Sequence, residues 1–242
     1  MAKKRLVVKN KDLPIISKKA GVVQRNDFIE LKYTGYSNGE VFDSNIEEDL
    51  KKLDKKAEVK EAIIVVGQGM VLAGLDRALE GKEIGKEYKI KIGYREGFGE
   101  RRKELIRTIP LKAFSEKKVE PKAGMILALD NYIVKILAVS GARVIADFNN
   151  PLAGKDLEYK FKVIGKVDDE NRKARTLFGA IFRFVPEFEV RDKVIVKGPK
   201  ELEGVVKIFS DRFKNLMGKG LGFEEKKVDL GKMKNKSDKG IQ

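Results

Sequence analysis

The alternation of apolar and polar residues predicts that the first part of the chain consists mainly of β-strands. At residues 88–92, Tyr88, Ile90 and Ile92 alternate with lysines, which is typical of a strand with one face in water. Residues 62–66 are apolar throughout, as in a buried strand. Further strands are expected at residues 5–9, 22–35, 41–42 and 157–163.

A short amphipathic helix is expected between the strands at residues 62–66 and 88–92. Its apolar residues share one face at helical spacing: Leu72, Leu75, Ala78 and Leu79. Gly81 follows where such a helix would end. Residues 47–60 are strongly charged and are expected to form a surface helix or loop. This part of the chain is thus expected to contain one short helix among several strands.

Residues 106–147 are predicted to form a separate small β domain. Turn-forming residues divide its short β-rich runs: Gly124, Asp130-Asn131 and Ser140-Gly141. The alternating strand at residues 157–163 then returns to the first sheet. An insertion of this kind is tolerated because the ends of the inserted domain lie close together. We therefore expect residues 1–105 and 148–167 to form one discontinuous domain around the insert.

From residue 168 the apolar residues follow helical spacing. Two sets do so: Ala174, Leu177, Phe178, Ile181, Phe182 and Val185, and later Leu202, Val205, Val206, Phe209, Phe213 and Leu216. Valines between the two sets predict a strand that ends at Gly198, and residues 228–230 predict another. We therefore expect an α-β-α-β domain at residues 168–230, followed by a disordered basic tail at residues 231–242.

The absence of cysteine and histidine excludes several kinds of chemistry. Disulfides, thiol nucleophiles, Ser-His triads and imidazole–metal sites all need one of these residues. Only carboxylates remain as metal ligands, and we expect neither a metal nor a cofactor. No apolar run approaches the roughly 18 residues of a membrane span, and the basic start lacks the apolar region of a signal peptide. We therefore expect a cytoplasmic protein.

The net charge of +15 raises the question of a nucleic-acid partner. Much of the excess lies at the two ends, in Lys3-Lys4-Arg5 and in residues 226–239. No RNP-like aromatic motif, zinc finger or basic heptad region accompanies these runs. We therefore favour solubilising tails over a contact with RNA or the ribosome, and keep that contact as an alternative.

Glycine-rich segments do not form a nucleotide-binding loop. Gly67 and Gly69 lack the third glycine of the dinucleotide pattern, because position 72 is leucine. The Gly-Lys pairs that begin at residues 81, 85, 154 and 218 are never followed by serine or threonine. We therefore expect no phosphate binding at these glycines.

Residues 65–99 contain, in this order, two glycines, a predicted short helix, a glycine-containing turn and a predicted strand of alternating residues. Two short motifs precede them in the chain, Tyr33-Thr34-Gly35 and Val41-Phe42-Asp43-Ser44. This series resembles the FKBP family of peptidyl-prolyl cis-trans isomerases. Residues 105–110 together with Asn150-Pro151-Leu152-Ala153-Gly154 are similar to the SlyD-like subclass, in its long archaeal form. The resemblance covers about residues 25–167.

The resemblance implies a fold and an activity. The fold would be of the α+β class, an antiparallel half-barrel sheet wrapped on a short helix, with an inserted small β domain and a C-terminal α/β unit. The activity would be isomerisation of Xaa-Pro bonds in unfolded polypeptides, with the insert acting as a chaperone. This reaction needs neither a nucleophile nor a general base, so a chain without histidine or cysteine can perform it. The metal-binding tail of bacterial SlyD is missing, and we expect no nickel role.

The resemblance also implies a proline pocket. Phe42 would stack on the substrate prolyl ring, Tyr33 would line the wall, and Asp43 would organise polar contacts at the rim. Val71 and Leu72 would begin the helix under the pocket, and Leu75 would form its floor.

Two further aromatic residues complete the implied site. Phe98 stands where the family usually has tyrosine, and Phe161 matches the aromatic residue at the far side. Ala62 stands where some members of the family have phenylalanine, so the wall of the proline pocket is thinner here. These departures support an alternative function, a holdase or ribosome-associated module with a weakened isomerase pocket.

A homodimer through the C-terminal domain is a further expectation, because so small a unit has a thin core of its own.

Overall fold

The computed structural model describes residues 21–129 and 132–226. The strands predicted at residues 5–9 and 228–230 lie outside the described residues, as does the basic tail predicted from residue 231. Within the described part of the chain, no helix is long and apolar enough to cross a membrane.

The first part of the chain supplies four strands and two short helices of the first domain. They are β1 (Phe28–Ser37), β2 (Glu40–Ser44), α1 (Glu47–Leu53), β3 (Ala62–Val65), α2 (Ala73–Leu79) and β4 (Glu87–Ile92). The charged segment predicted as a surface helix or loop contains α1, which has no buried residue. The bend between β1 and β2 contains Asn38 and Gly39, both with positive φ, as the Asn-Gly pair favours.

The next part of the chain folds into a small domain with its own core. Its elements are β5 (Ile106–Pro110), α3 (Leu111–Glu116), β6 (Ile126–Leu129), β7 (Tyr132–Ser140) and β8 (Arg143–Asp147). The strands form an antiparallel sheet in the order β5-β8-β7-β6. Phe114 of α3 packs against Val134, Ile136 and Val144 on one face of this sheet. The opposite face carries exposed apolar side chains, among them Ile126 and Ile133.

Strand β9 (Leu157–Lys166) returns to the first sheet and completes it. The sheet order is β2-β1-β9-β4, and β3 pairs with β1 as well. Every second residue of β9 points into the core: Leu157, Tyr159, Phe161 and Val163. There they meet Leu75 and Leu79 of α2, which are almost fully buried. The sheet thus wraps around one short helix.

The C-terminal part consists of two helices and a three-stranded sheet. Its elements are α4 (Glu170–Ile181), β10 (Glu187–Val190), β11 (Val194–Gly198), α5 (Leu202–Met217) and β12 (Leu221–Glu225). The order differs from the predicted α-β-α-β, because the segment predicted as one strand is a hairpin. The chain reverses at Asp192, where the amide of Arg191 donates to the carbonyl of Lys193. The third strand, β12, begins at Leu221 and runs parallel to β11.

Helix α4 is shorter than its apolar pattern predicts. Val185 keeps helical spacing, but the helix ends at Ile181, and Phe182 is its C-cap. Arg183 then adopts a φ of 63°, which turns the chain out of the helix. The apolar side chains of Phe184 and Val185 are consequently exposed.

The C-terminal unit shares its core with the first sheet. Phe178 lies at the centre of a group of phenylalanine rings that includes Phe182 and Phe213. Phe28 of β1 and Val65 of β3 belong to the same buried cluster. These two residues project from the face of the sheet opposite to α2. The short length of this unit predicts a thin core of its own, whereas its core in fact continues into the first domain.

Candidate active site

Four aromatic rings, those of Tyr33, Phe42, Phe98 and Tyr159, lie next to one another on the first sheet. The ring of Phe42 lies 6.0 Å from that of Phe98 and 5.7 Å from that of Tyr159, both in edge-to-face geometry. The ring of Tyr33 lies 6.1 Å from that of Tyr159. Phe42, Phe98 and Tyr33 are partly exposed, so these rings line an apolar surface that a ligand can reach.

Gly35 explains how Phe42 comes so close to the sheet. Gly35 lies opposite Tyr159 in the register of β1 and β9. A Cβ atom at position 35 would come within 2.7 Å of the Phe42 ring, closer than packed atoms allow. The glycine of the Tyr33-Thr34-Gly35 motif therefore leaves space for the aromatic ring of the following strand.

The N-terminus of α2 belongs to the same hydrophobic cluster as the four rings. Leu72 is the N-cap of α2, and Val71 precedes it; both are partly buried against the domain core. Leu75 is buried below them, at 1% exposure. Leu72 provides no side-chain hydrogen bond to cap the helix. The conformation of the loop before α2 must therefore be fixed by a residue other than the N-cap.

Asp76 holds that loop. Its carboxylate oxygens accept hydrogen bonds from the backbone amides of Gly67 and Gly69, each at 2.8 Å. Both glycines have positive φ, a conformation that glycine adopts at little cost. Asp76 is 7% exposed, and these two bonds satisfy its buried oxygens. The carboxylate thus fixes the backbone that leads to Val71 and Leu72.

A polar network fixes the wall of the site. The Tyr33 hydroxyl donates to Asp43 Oδ2 at 3.0 Å. Burial, then the charge of Asp43 and this hydrogen bond, raise the pKa of Tyr33, so its hydroxyl remains a donor at neutral pH. The buried Asn45 side chain accepts from the Tyr33 amide at 2.8 Å and donates to the Leu31 carbonyl at 2.7 Å. These bonds tie the end of β2 to β1.

Tyr159 was not among the predicted site residues, whereas Phe161 was. The Phe161 ring stacks on Tyr88 at 5.6 Å, and the contacts of the Phe42 ring are with Phe98 and Tyr159. Tyr159 therefore lies beside Phe42, in the position that the family resemblance assigns to Phe161. Burial, followed by the charge of Asp43, raises the pKa of Tyr159, which keeps its hydroxyl neutral. Gly35 is the residue of the sequence that could have indicated Tyr159. Its missing side chain leaves room for the Phe42 ring, and the residue opposite Gly35 on β9, Tyr159, contacts that ring.

The remaining predicted site residues lie together. Phe42, Tyr33 and Asp43 are on neighbouring strands, and Phe98 closes the site from the loop after β4. The described residues contain no group of three acidic side chains that could hold a metal ion. The arrangement offers an apolar surface with one carboxylate at its rim, which suits binding of an uncharged ring beside a polar backbone.

Two family models match overlapping parts of the chain. The model for FKBP-type peptidyl-prolyl cis-trans isomerase matches residues 20–116, and the model for the IF domain of FKBP26 matches residues 107–152. The short-type peptidyl-prolyl cis-trans isomerase of Methanocaldococcus jannaschii is 32% identical over 145 residues, which are 59% of this chain and 92% of that protein. The chain belongs to the FKBP-type peptidyl-prolyl cis-trans isomerase family.

SlyD proteins are also similar to this FKBP-type isomerase. The FKBP-type isomerase SlyD of Yersinia pestis is 33% identical over 102 residues, or 40% of this chain and 52% of its own length. That of Helicobacter pylori is 27% identical over 148 residues, or 59% of this chain and 73% of its own length. The predicted family, FKBP-like fold and isomerase activity are thereby confirmed. The alternative of a binding module without this activity is not favoured; the cytoplasmic location stays a prediction.

The contacts of Asp76 lead to a testable prediction for the FKBP-type isomerase. In Asp76→Asn, an NH₂ group replaces one acceptor oxygen and leaves a glycine amide without its partner. We expect a loss of about 1–3 kcal/mol in the free energy of unfolding and a lower kcat/KM on a short Xaa-Pro peptide. Denaturant unfolding and a protease-coupled assay measure the two effects. Asp54→Asn is the control, because Asp54 is exposed and accepts from a single amide; equal behaviour of the two variants would contradict the assigned role.

Proposed function

We propose that Xaa-Pro bonds of unfolded polypeptides rotate on the apolar surface formed by Phe42, Tyr33, Phe98 and Tyr159 above Leu75. The observation that carries this proposal is the edge-to-face group of rings around Phe42, which Gly35 makes room for. A prolyl ring is apolar and fits such a surface, while the carboxylate of Asp43 and the Tyr33 hydroxyl stand at its rim.

The chemistry follows from the nature of the barrier. Rotation about the prolyl amide requires about 18–20 kcal/mol, because it destroys the amide resonance. The twisted state has a less polar carbonyl and a pyramidal nitrogen, so an apolar site favours it over the planar state. The enzyme lowers the barrier by binding the twisted state more tightly than either planar isomer. The side chains of the site form and break no covalent bond.

Phe42 provides the direct test of this assignment. In Phe42→Leu, the edge-to-face contacts with Phe98 and Tyr159 are lost while an apolar side chain remains. We expect kcat/KM on a short Xaa-Pro peptide to fall about tenfold or more, since each tenfold corresponds to roughly 1.4 kcal/mol of transition-state binding. The matched control is Phe184→Leu, which changes a half-exposed ring of the C-terminal unit. Full activity of the Phe42 variant would show that this surface does not bind the proline.

The insert has the surface of a polypeptide-binding chaperone domain. Ile126, Tyr132 and Ile133 are exposed by 63%, 62% and 60%, although all three are large and apolar. Ile126 and Ile133 line a cavity of about 520 Å³ whose other wall includes Arg101, Pro151 and other residues of the catalytic domain. Exposed apolar surface that adjoins a cavity is typical of a binding site for extended chains.

The two chain segments that connect the insert to the catalytic domain, residues 101–105 and 147–150, are hydrogen-bonded to each other. Two guanidinium nitrogens of Arg101 donate to Asp147 Oδ2 at 2.6 and 3.1 Å. Asn149 accepts from the Arg102 amide at 2.8 Å and donates to the Arg102 carbonyl at 2.9 Å. Burial alone would raise the pKa of Asp147, but bonds from Arg101 and Asn149 outweigh it and lower the pKa. The ion pair therefore persists at neutral pH and supports a fixed approach of client chain to pocket.

The exposed isoleucines allow a test that separates the two activities. We expect Ile126→Ser combined with Ile133→Ser to leave isomerisation of a short peptide unchanged, because a peptide enters the pocket unaided. Catalysis of proline-limited refolding of a whole protein should fall severalfold, because a docking surface of the client is lost. Leu53→Ser combined with Val59→Ser is the control, since these side chains are exposed apolar residues of the catalytic domain. Unchanged refolding activity, or equal loss on both substrates, would refute the role of the insert.

We also propose a homodimer through the C-terminal unit. Ile208 on α5 is 74% exposed, and Phe184 and Val185 beyond the end of α4 are half-exposed. A second copy of the chain would cover such apolar side chains. We expect light scattering to give twice the mass of one chain, and Ile208→Lys to lower it toward the mass of one. A monomeric wild type would exclude this assembly.

A further inference from the structure

A second cavity lies where the C-terminal unit meets the catalytic domain. Its volume is about 490 Å³. Helices α4 and α5 line one side, and the loop from Gln68 to Met70, just before α2, lines the other. Gly179 and Ala180 on α4 leave room here, because they present small surfaces at the wall. The cavity is separate from the aromatic rings around Phe42.

The charged groups around this cavity are mostly positive. Arg175, Arg183 and Arg212 line it, and Glu61 is the single acidic side chain among its lining residues. The carboxylate of Glu61 is already paired with Arg172. Arg175 lies over the Phe188 ring at 5.5 Å, which leaves its N–H donors available. Arg183 and Arg212 make no side-chain hydrogen bond or ion pair within the described part of the chain.

The backbone at Arg183 gives an independent reason to assign a role to its side chain. Its φ of 63° lies in the left-handed region, directly after the C-cap of α4. Glycine or asparagine is the usual residue at this position, because a larger side chain costs conformational free energy there. Packing does not account for the arginine either, since its side chain is exposed. A guanidinium group that serves a ligand would explain the choice.

We propose that this cavity binds a small organic phosphate of nucleotide size. Three guanidinium groups match a ligand with more than one negative charge, and arginine binds phosphate oxygens in bidentate geometry. Met70, Ile181 and Leu216 provide an apolar wall for the uncharged part of the ligand. The volume lies in the range of about 300–1,000 Å³ that small-molecule sites occupy. The chain lacks a glycine-rich phosphate loop, so guanidinium groups would hold the phosphates instead of backbone amides.

The positive φ of Arg183 makes a test possible without damage to the fold. Arg183→Gly removes the guanidinium group and relieves the backbone, so its melting temperature should equal or exceed that of the wild type. Lys118→Gly is the matched control, because Lys118 is also an exposed cation with positive φ, at 54°, but lies in the insert. Isothermal titration calorimetry of the full chain with ADP measures binding in all three proteins.

We expect saturable binding of ADP, weaker binding of pyrophosphate and still weaker binding of adenosine. The affinity for ADP should decrease with added salt and fall about tenfold or more in Arg183→Gly, as expected for the loss of charge-assisted hydrogen bonds. It should remain unchanged in Lys118→Gly. Absence of saturable ADP binding at millimolar concentration, or equal affinity in the two glycine variants, would overturn the proposal. Tighter binding of a hexaglutamate peptide than of ADP would overturn it too, in favour of an acidic polypeptide ligand.

Discussion

The beginning of strand β1 is buried on both of its faces, and the other parts of the catalytic domain depend on this. Ile29 and Leu31 are fully buried on the side of α2, while Phe28 is buried on the opposite side against the C-terminal unit. The same strand pairs with β2, β3 and β9. Because a shift by one residue would exchange the two faces, burial of both fixes the register of β1 strongly. That register places Gly35 opposite Tyr159 and so assembles the rings of the active site.

Local patterns were sufficient to predict many of the elements, whereas the residues proposed for the site came from the family resemblance. Alternation at residues 88–92 and helical spacing from Leu72 to Leu79 each depend on neighbours in sequence, and both elements are present. The position of Tyr159 could not be obtained in this way. Tyr159 and Phe161 lie on the same face of β9, so a period of two cannot tell which of them meets Phe42. Pairing with a strand more than a hundred residues away decides it.

Other features escaped prediction because their partners are distant or because one residue interrupts a pattern. Asp76 sits within an amphipathic helix as an ordinary polar residue, and its role appears only when Gly67 and Gly69 fold back onto it. Val190 and Val194 look like one strand until the turn at Asp192 separates them. Phe28 gives no sign that its side chain belongs to the C-terminal core. In each case tertiary structure supplies what spacing along the chain leaves out.

The two additions to the catalytic domain differ in how they could be exchanged between proteins. The insert has its own core around Phe114 and joins the catalytic domain through two neighbouring crossings, so a recombination event could replace it as a cassette. The C-terminal unit completes its core with Phe28 and Val65, which belong to the catalytic sheet. Its transfer to another member of the family would require matching apolar residues on the outer face of that sheet. The C-terminal unit and the catalytic sheet must therefore evolve together, whereas the insert is free to diverge.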